Sequence, residues 1–367
     1  MKFLWETGWI IAAWFITLIN YSGFGEKIHS EDYTFAFFAL CSIIILTINK
    51  GKLVKDISER YPFYVIGIIF FFIIIPVILG SGHGITYLSS FLVILFYSHF
   101  SPSNKTIFIS GMIIAGFGLA LMYEYKYGSL NGWNDNGIAM TGLFSYLFFA
   151  ISLYGNNKFI NKAIGIIFTI LYIQAFELTD SRGSSLALIL AIITIFQRPL
   201  VLNLLKKNSS LSFIYFSPLI IALITCWIAT TDYFTQLDLW SIAEYDKPIF
   251  NGREKLWNRG LERLYDSYLF GIGKFDDNYH NSAITCLAAF GLFGYLSWVK
   301  CFISFTKYLR HYLQDSYIYG ALCAFIIIYL QQSIELGFIS ECPNLLPYMI
   351  LGLAIGRTKI FFKKKQA

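Results

Sequence analysis

Three residues are placed where their chemistry would count: Arg182, Arg253 and His280, each at the expected start of a helix. In Thr179-Asp-Ser-Arg-Gly-Ser-Ser185, Asp180 or Ser181 can cap a helix that carries Arg182 in its first turn. The partial positive charge at a helix N-terminus disfavours a cation there, so Arg182 calls for an anion. In NGREKLW (251–257), Asn251 is the expected N-cap, Glu254 completes a capping-box variant, and Arg253 again falls in the first turn. In Tyr279-His-Asn-Ser282 the same dipole disfavours an imidazolium at the head of an apolar run, leaving a base able to accept a proton.

The structural alternatives are an interfacial Arg182 paired with Asp180 or Glu177, and a His280 that only braces its helix. Around the loop helix, helical spacing puts Trp257, Leu261, Leu264, Tyr265 and Tyr268 on an apolar side. Lys255, Arg259 and Arg263 fall on another side, expected to face solvent or headgroups, with Arg253 at the edge of the apolar stripe. His83 is the one rival histidine, and Asp276-Asp277 resembles a metal-binding pair but has no third ligand at a telling spacing. No P-loop or G-x-S-x-G motif occurs, and no metal or cofactor is expected.

The elements that hold these residues are membrane helices. Hydrophobic residues make up 56% of 367 and charged residues only 14%, too little polar surface for a soluble globule. The six cysteines form no C-x-x-C pair and read as small buried hydrophobes. Apolar runs fall at about 4–21, 33–48, 61–79, 85–100, 106–123, 138–154, 161–178, 184–200, 211–230, 280–299, 317–338 and 345–357. The expectation is an all-α, polytopic transmembrane helical bundle of about 12 spans, forming a single integral membrane domain over 1–367.

Charge gives the orientation. With both termini cytoplasmic, 19 of 28 basic residues fall inside, from Lys2 through Lys105, Arg198 and Arg310 to Arg357 and the C-terminal lysines. Of the acids only Glu6, Asp56, Glu59 and Asp315 share that side. Six of the nine remaining basic residues lie in 231–279, a long extracytoplasmic loop containing helix, and long loops are translocated whatever their charge. The three helix starts then share the outer face. Free backbone N–H groups and two guanidiniums suit a diphosphate, and a base beside them suggests transfer. The net charge of +6 is a matter of topology, and no nucleic acid is implied.

In these motifs the chain resembles the O-antigen ligase and O-antigen polymerase superfamily. TDSRGSS matches that family's Arg followed by a small residue, NGREKLW its G-R-x-x-x-W pattern, and YHNSAITCLAAFGLFGYLSWV its H-N pair before a Gly-rich span. NGWNDNGIAM is similar in position to an Asn-rich turn of the family, with Asp135 where Pro is common. The resemblance implies a metal-independent, inverting membrane glycosyltransferase in a bacterial inner membrane. The donor would be a glycan on undecaprenyl diphosphate, and the acceptor a second lipid-linked glycan (polymerase, favoured by the basic loop) or lipid A core (ligase). It implies that Arg182 and Arg253 hold the diphosphate and that His280 is the catalytic base; Asn281, Asn136 and Arg259 are further candidate substrate contacts. A lipid-linked sugar transporter or flippase is the alternative of a different class; it would be expected to carry ionisable residues in mid-membrane.

Overall fold

The computed structural model describes residues 2–20, 30–48, 70–79, 87–128, 135–154, 159–179, 181–245, 248–275, 277, 279–335, 337–340 and 343–366. His83, Asn134, Asp180, Asp276, Cys342 and the first part of the run at 61–79 lie outside the described residues. Helices α1 (Lys2–Asn20), α2 (Ser30–Ile48), α3 (Ser89–Tyr97), α4 (Asn104–Tyr127), α5 (Asp135–Leu153) and α6 (Phe159–Thr179) form the first half. The second half holds α7 (Arg182–Phe196), α8 (Arg198–Lys206), α9 (Asn208–Ile228), α10 (Asp232–Tyr245), α11 (Arg253–Asp266), α12 (Ser282–Leu309), α13 (Ser316–Gln331) and α14 (Leu345–Gln366). Among the described residues there is no strand.

Six helices, α1, α4, α5, α6, α9 and α12, are long and apolar enough to cross a membrane. A seventh candidate, α7 with α8, bends by 97° at Gln197. Pro199 supplies a cause, since it has no N–H to continue the ladder of α7. Helices also cover the other described apolar runs, but the apolar part of α2 (Asp32–Ile44) and α13 are shorter. The interval 231–279 contains α10 and α11.

Burial separates centre from periphery. In α5, 78% of the spanning window is buried against 22% in α6, whose Ile166, Ile167, Ile170 and Ile173 form an exposed apolar face. Such a face on a long apolar helix is what lipid would cover. Inside, two indoles are tied to hydroxyls: Trp14 donates to Ser145 Oγ at 2.8 Å and Trp298 to Tyr87 Oη at 2.7 Å. Cys226, Cys286, Cys301 and Cys323 are buried free thiols and Cys41 is partly buried.

One irregularity positions the site. Gly291, inside α12, has φ 65°, and residues 268–273 fill the break. Ile272 and Gly273 donate to the carbonyls of Ala288 and Ala289, while Leu292 and Phe293 donate to those of Tyr268 and Leu269. Non-helical backbone within a membrane span persists only where its polar groups are satisfied in this way. The splice anchors the segment that follows α11. It needs two glycines, because a Cβ on Gly271 would lie 2.5 Å from Ala289 backbone atoms and Gly271 itself has φ 69°.

Candidate functional site

A cavity of ≈ 550 Å³ lies where several helix ends meet. Asn136 enters it from the first turn of α5, Thr179 from the end of α6, Arg182 from the start of α7 and Arg253 from the start of α11. Asn251 just before α11, Trp257 one turn into it, and Glu335, beyond α13, complete its polar lining. Residues separated by up to 199 positions thus share one wall, and two of the three residues singled out by motif, Arg182 and Arg253, line it directly.

Arg182 is the first residue of α7 behind the extended N-cap Ser181. The cap differs in detail from the expected one: Ser181 Oγ donates to Ser184 Oγ at 3.2 Å and makes no bond to the helix backbone. Arg182 is exposed and, among the described residues, has no ion-pair partner; Glu177 does not pair with it. The small residue after it has a reason, since a Cβ on Gly183 would lie 2.6 Å from Ile334 Cδ1. Gly183 thereby lets the N-terminus of α7 approach the Glu335 segment.

At α11 the expected cap is corrected. Asn251 (φ 55°) and Gly252 (φ 75°) both take the left-handed conformation, Gly252 is the cap, and no side chain caps the helix. Phe250 O accepts from Arg253 N at 3.0 Å, a tight turn that uses up the position Asn251 was expected to cap. Glu254 is instead a buried residue of the first turn. The buried face is also displaced: Glu254, Trp257 and Gly260 pack inward while Tyr265 (88%) and Tyr268 (60%) are exposed. Gly260 lies against Ile284 and Tyr279, so close packing with α12 turns the helix away from the orientation its aromatic residues suggest. The indole N–H of Trp257 is buried with no hydrogen-bond partner.

Arg253 donates through Nη2 to Glu335 Oε1 at 2.6 Å, and Glu335 Oε2 lies 3.6 Å from His280 Nδ1. Glu335 is therefore the group that joins the arginine to the histidine. It is a site residue that motif reading passes over, noticeable in sequence only as a lone acid late in an apolar run. His280 is not in the first turn of α12: it precedes the cap with φ 48°, and Asn281 is the cap. The left-handed turn directs the imidazole back toward Glu335.

Asn281 has a structural task. Its Oδ1 accepts from Ala283 N and Ile284 N, and its Nδ2 donates to Pro218 O and Ser333 O at 3.0 and 2.8 Å. All four positions of a buried amide are filled, so in place of the expected substrate contact it ties α9 and the turn after α13 to the start of α12. Arg259 is likewise outside the cavity lining, exposed and paired with Asp277 Oδ2 at 2.7 Å. Arg263 pairs with Asp266 at 3.5 Å, as befits an exposed side.

The lining contains two guanidiniums and one carboxylate, so the cavity remains cationic. Chemically it can hold an anion against helix N-termini, and His280, which does not itself line the cavity, stands 3.6 Å behind the lining carboxylate of Glu335. Comparison of the chain with protein-family models and with curated proteins gives no match.

Proposed function

We propose that the protein is a membrane glycosyltransferase of the O-antigen polymerase and ligase type, acting as a polymerase of lipid-linked repeat units. The single observation that carries this reading is the convergence of Arg182, Arg253 and the Glu335–His280 contact at one cavity. The donor is a glycan on undecaprenyl diphosphate. Arg182 and Arg253 bind the diphosphate and offset charge developing on it as it leaves. His280 removes the proton of the acceptor hydroxyl as that oxygen attacks the anomeric carbon, inverting it. Asn136 and the indole N–H of Trp257 are polar contacts for the sugar at the wall of the same cavity.

In this reading the chain crosses a bacterial inner membrane about twelve times, with both termini cytoplasmic and 231–279 outside. The grouping of charges supports it. Lys2 pairs with Glu6, Glu6 accepts from Ser101 N, Arg357 binds Asp315, and Arg310 reaches Lys206 O, all of them residues the charge rule puts on one side. A cysteine at exposed position 265 labelled only from the cytoplasm would overturn this orientation. Among the described residues the buried acids are Glu6, Glu254 and Glu335, with no chain of ionisable groups between the two ends, which favours a transferase over an ion-coupled carrier.

The test is turnover of a purified lipid-linked donor by the full chain, normalised to folded protein. His280→Ala should lower turnover by roughly 10² to 10⁴, the usual worth of a general base, with donor binding nearly unchanged. Turnover close to that of the unaltered protein would remove the base assignment. Polymerase and ligase separate in a deletion strain: single-repeat caps support the polymerase, and lipid-linked polymer missing from core supports the ligase.

A further inference from the structure

Glu335 touches both groups on which transfer depends. Its Oε1 holds Arg253 at 2.6 Å while its Oε2 stands 3.6 Å from His280 Nδ1, and its side chain is 5% exposed. A carboxylate so buried needs a partner at all times, and here two are within reach. A phosphate arriving at Arg253 competes for the same guanidinium. Of the other charged groups on the elements packed around this contact, Arg182 on α7 lines the cavity and Glu254 on α11 is buried, while Lys255, Arg259, Glu262, Arg263 and Asp266 of α11 are exposed and outside its lining; among the described acids, only Glu335 lines the cavity.

We propose that Glu335 is a transferable positioning residue, engaged with Arg253 until a diphosphate takes that guanidinium and then passed to His280. This rests on the transferase reading above. Once displaced, Glu335 accepts a hydrogen bond from Nδ1–H of His280, closing the 3.6 Å separation to about 2.8 Å. That fixes the tautomer whose Nε2 is the proton acceptor. The acceptor hydroxyl then gives its proton to Nε2 and its oxygen bonds the anomeric carbon. The bond from that carbon to the diphosphate oxygen breaks, and the electron pair leaves on the diphosphate. Glu335 stays ionised throughout and balances the imidazolium. Donor binding thereby switches on the base, so the histidine is activated only when a leaving group is in place.

The experiment uses the full chain in lipid nanodiscs, with undecaprenyl diphosphate as the binding probe and a lipid-linked oligosaccharide as the substrate. Glu335→Gln removes both the competitor and the backing group. It should bind the probe about tenfold tighter and turn over at least tenfold more slowly, whereas loss of a merely structural residue would weaken both. A Glu335→Gln protein that folds but binds no tighter, or that binds tighter and turns over as fast as the unaltered protein, overturns the exchange, and in either case transfer by the unaltered protein leaves the broader reading standing. Failure of the unaltered protein to bind the probe or to transfer removes both.

Discussion

Just past the middle of α14, Arg357 donates to Asp315 Oδ2, to Pro102 O and to Asn104 Oδ1, and its guanidinium lies 5.8 Å from the Tyr317 ring. Arg198 stacks on Tyr319 at 4.9 Å and Arg310 reaches Lys206 O and Asn208 Oδ1. Where α7 and α11 begin, Arg182 has no ion pair among the described residues and Arg253 has one carboxylate, which it shares with a histidine. Arg357 is thus engaged through all three of its nitrogens by its own chain at one end of the bundle, whereas Arg253 at the other is held by a single carboxylate. The proposed anion site rests on donors left beside a cavity, not on the number of arginines in a loop.

The comparison breaks most visibly at Arg253. A point charge cannot reproduce a two-pronged contact to phosphate, so Arg253→Lys should be impaired nearly as badly as Arg253→Ala, by about 10² to 10³ in turnover. Full activity in the Lys variant would show that the guanidinium geometry is unused.

Next in size is the splice that holds α11 in place. Gly271→Ala puts a methyl group against the backbone of α12 and a side chain on a left-handed residue, costing about 3 kcal/mol. Thermal unfolding in detergent should record the loss, and activity should fall with it because the segment carrying Arg253 loses its anchor. An unchanged midpoint would mean that the break at Gly291 is not closed by this segment.

Much of this arrangement was legible before any coordinates. Helical class followed from apolar run lengths. Arg182 and Arg253 could be placed because a helix dipole acts locally, within one turn. What escaped was set by contacts across the chain. The two left-handed residues Asn251 and Gly252 replace a capping box that local spacing favoured, and the packing of Gly260 on α12 overrides the aromatic stripe ending at Tyr268. Asn281 looked like a polar residue awaiting a substrate because the carbonyls of Pro218 and Ser333 that fill its amide lie 63 and 52 positions away. Glu335 carries no motif, and its importance arises only from what stands beside it.

At the other end of the bundle, Arg357→Ala should act on stability alone. Asp315 would lose its charge partner while still capping α13 through bonds to Tyr317 N and Ile318 N, so the cost should be about 2 kcal/mol. Turnover per folded molecule should stay within about twofold. A larger loss of turnover with folding intact would mean that the two ends of the bundle are coupled.

The smallest effect is expected at Arg259, which has the composition of a ligand contact but the setting of a surface pair. Its guanidinium is 57% exposed, its partner Asp277 is 32% exposed, and neither lines the cavity. Exposed pairs of this kind contribute about 0 to 1 kcal/mol, because water screens the charges and ordering two long side chains offsets most of the attraction. Arg259→Ala should therefore leave the unfolding midpoint nearly unmoved and turnover within about twofold. Raising ionic strength should change the variant and the unaltered protein alike, since the pair contributes little to begin with. The informative failure is a tenfold rise in acceptor KM with kcat and stability unchanged. That pattern would assign the basic side of α11 to a second anionic substrate, extend the site beyond the cavity, and make Arg259 the first residue found to bind acceptor without touching the donor.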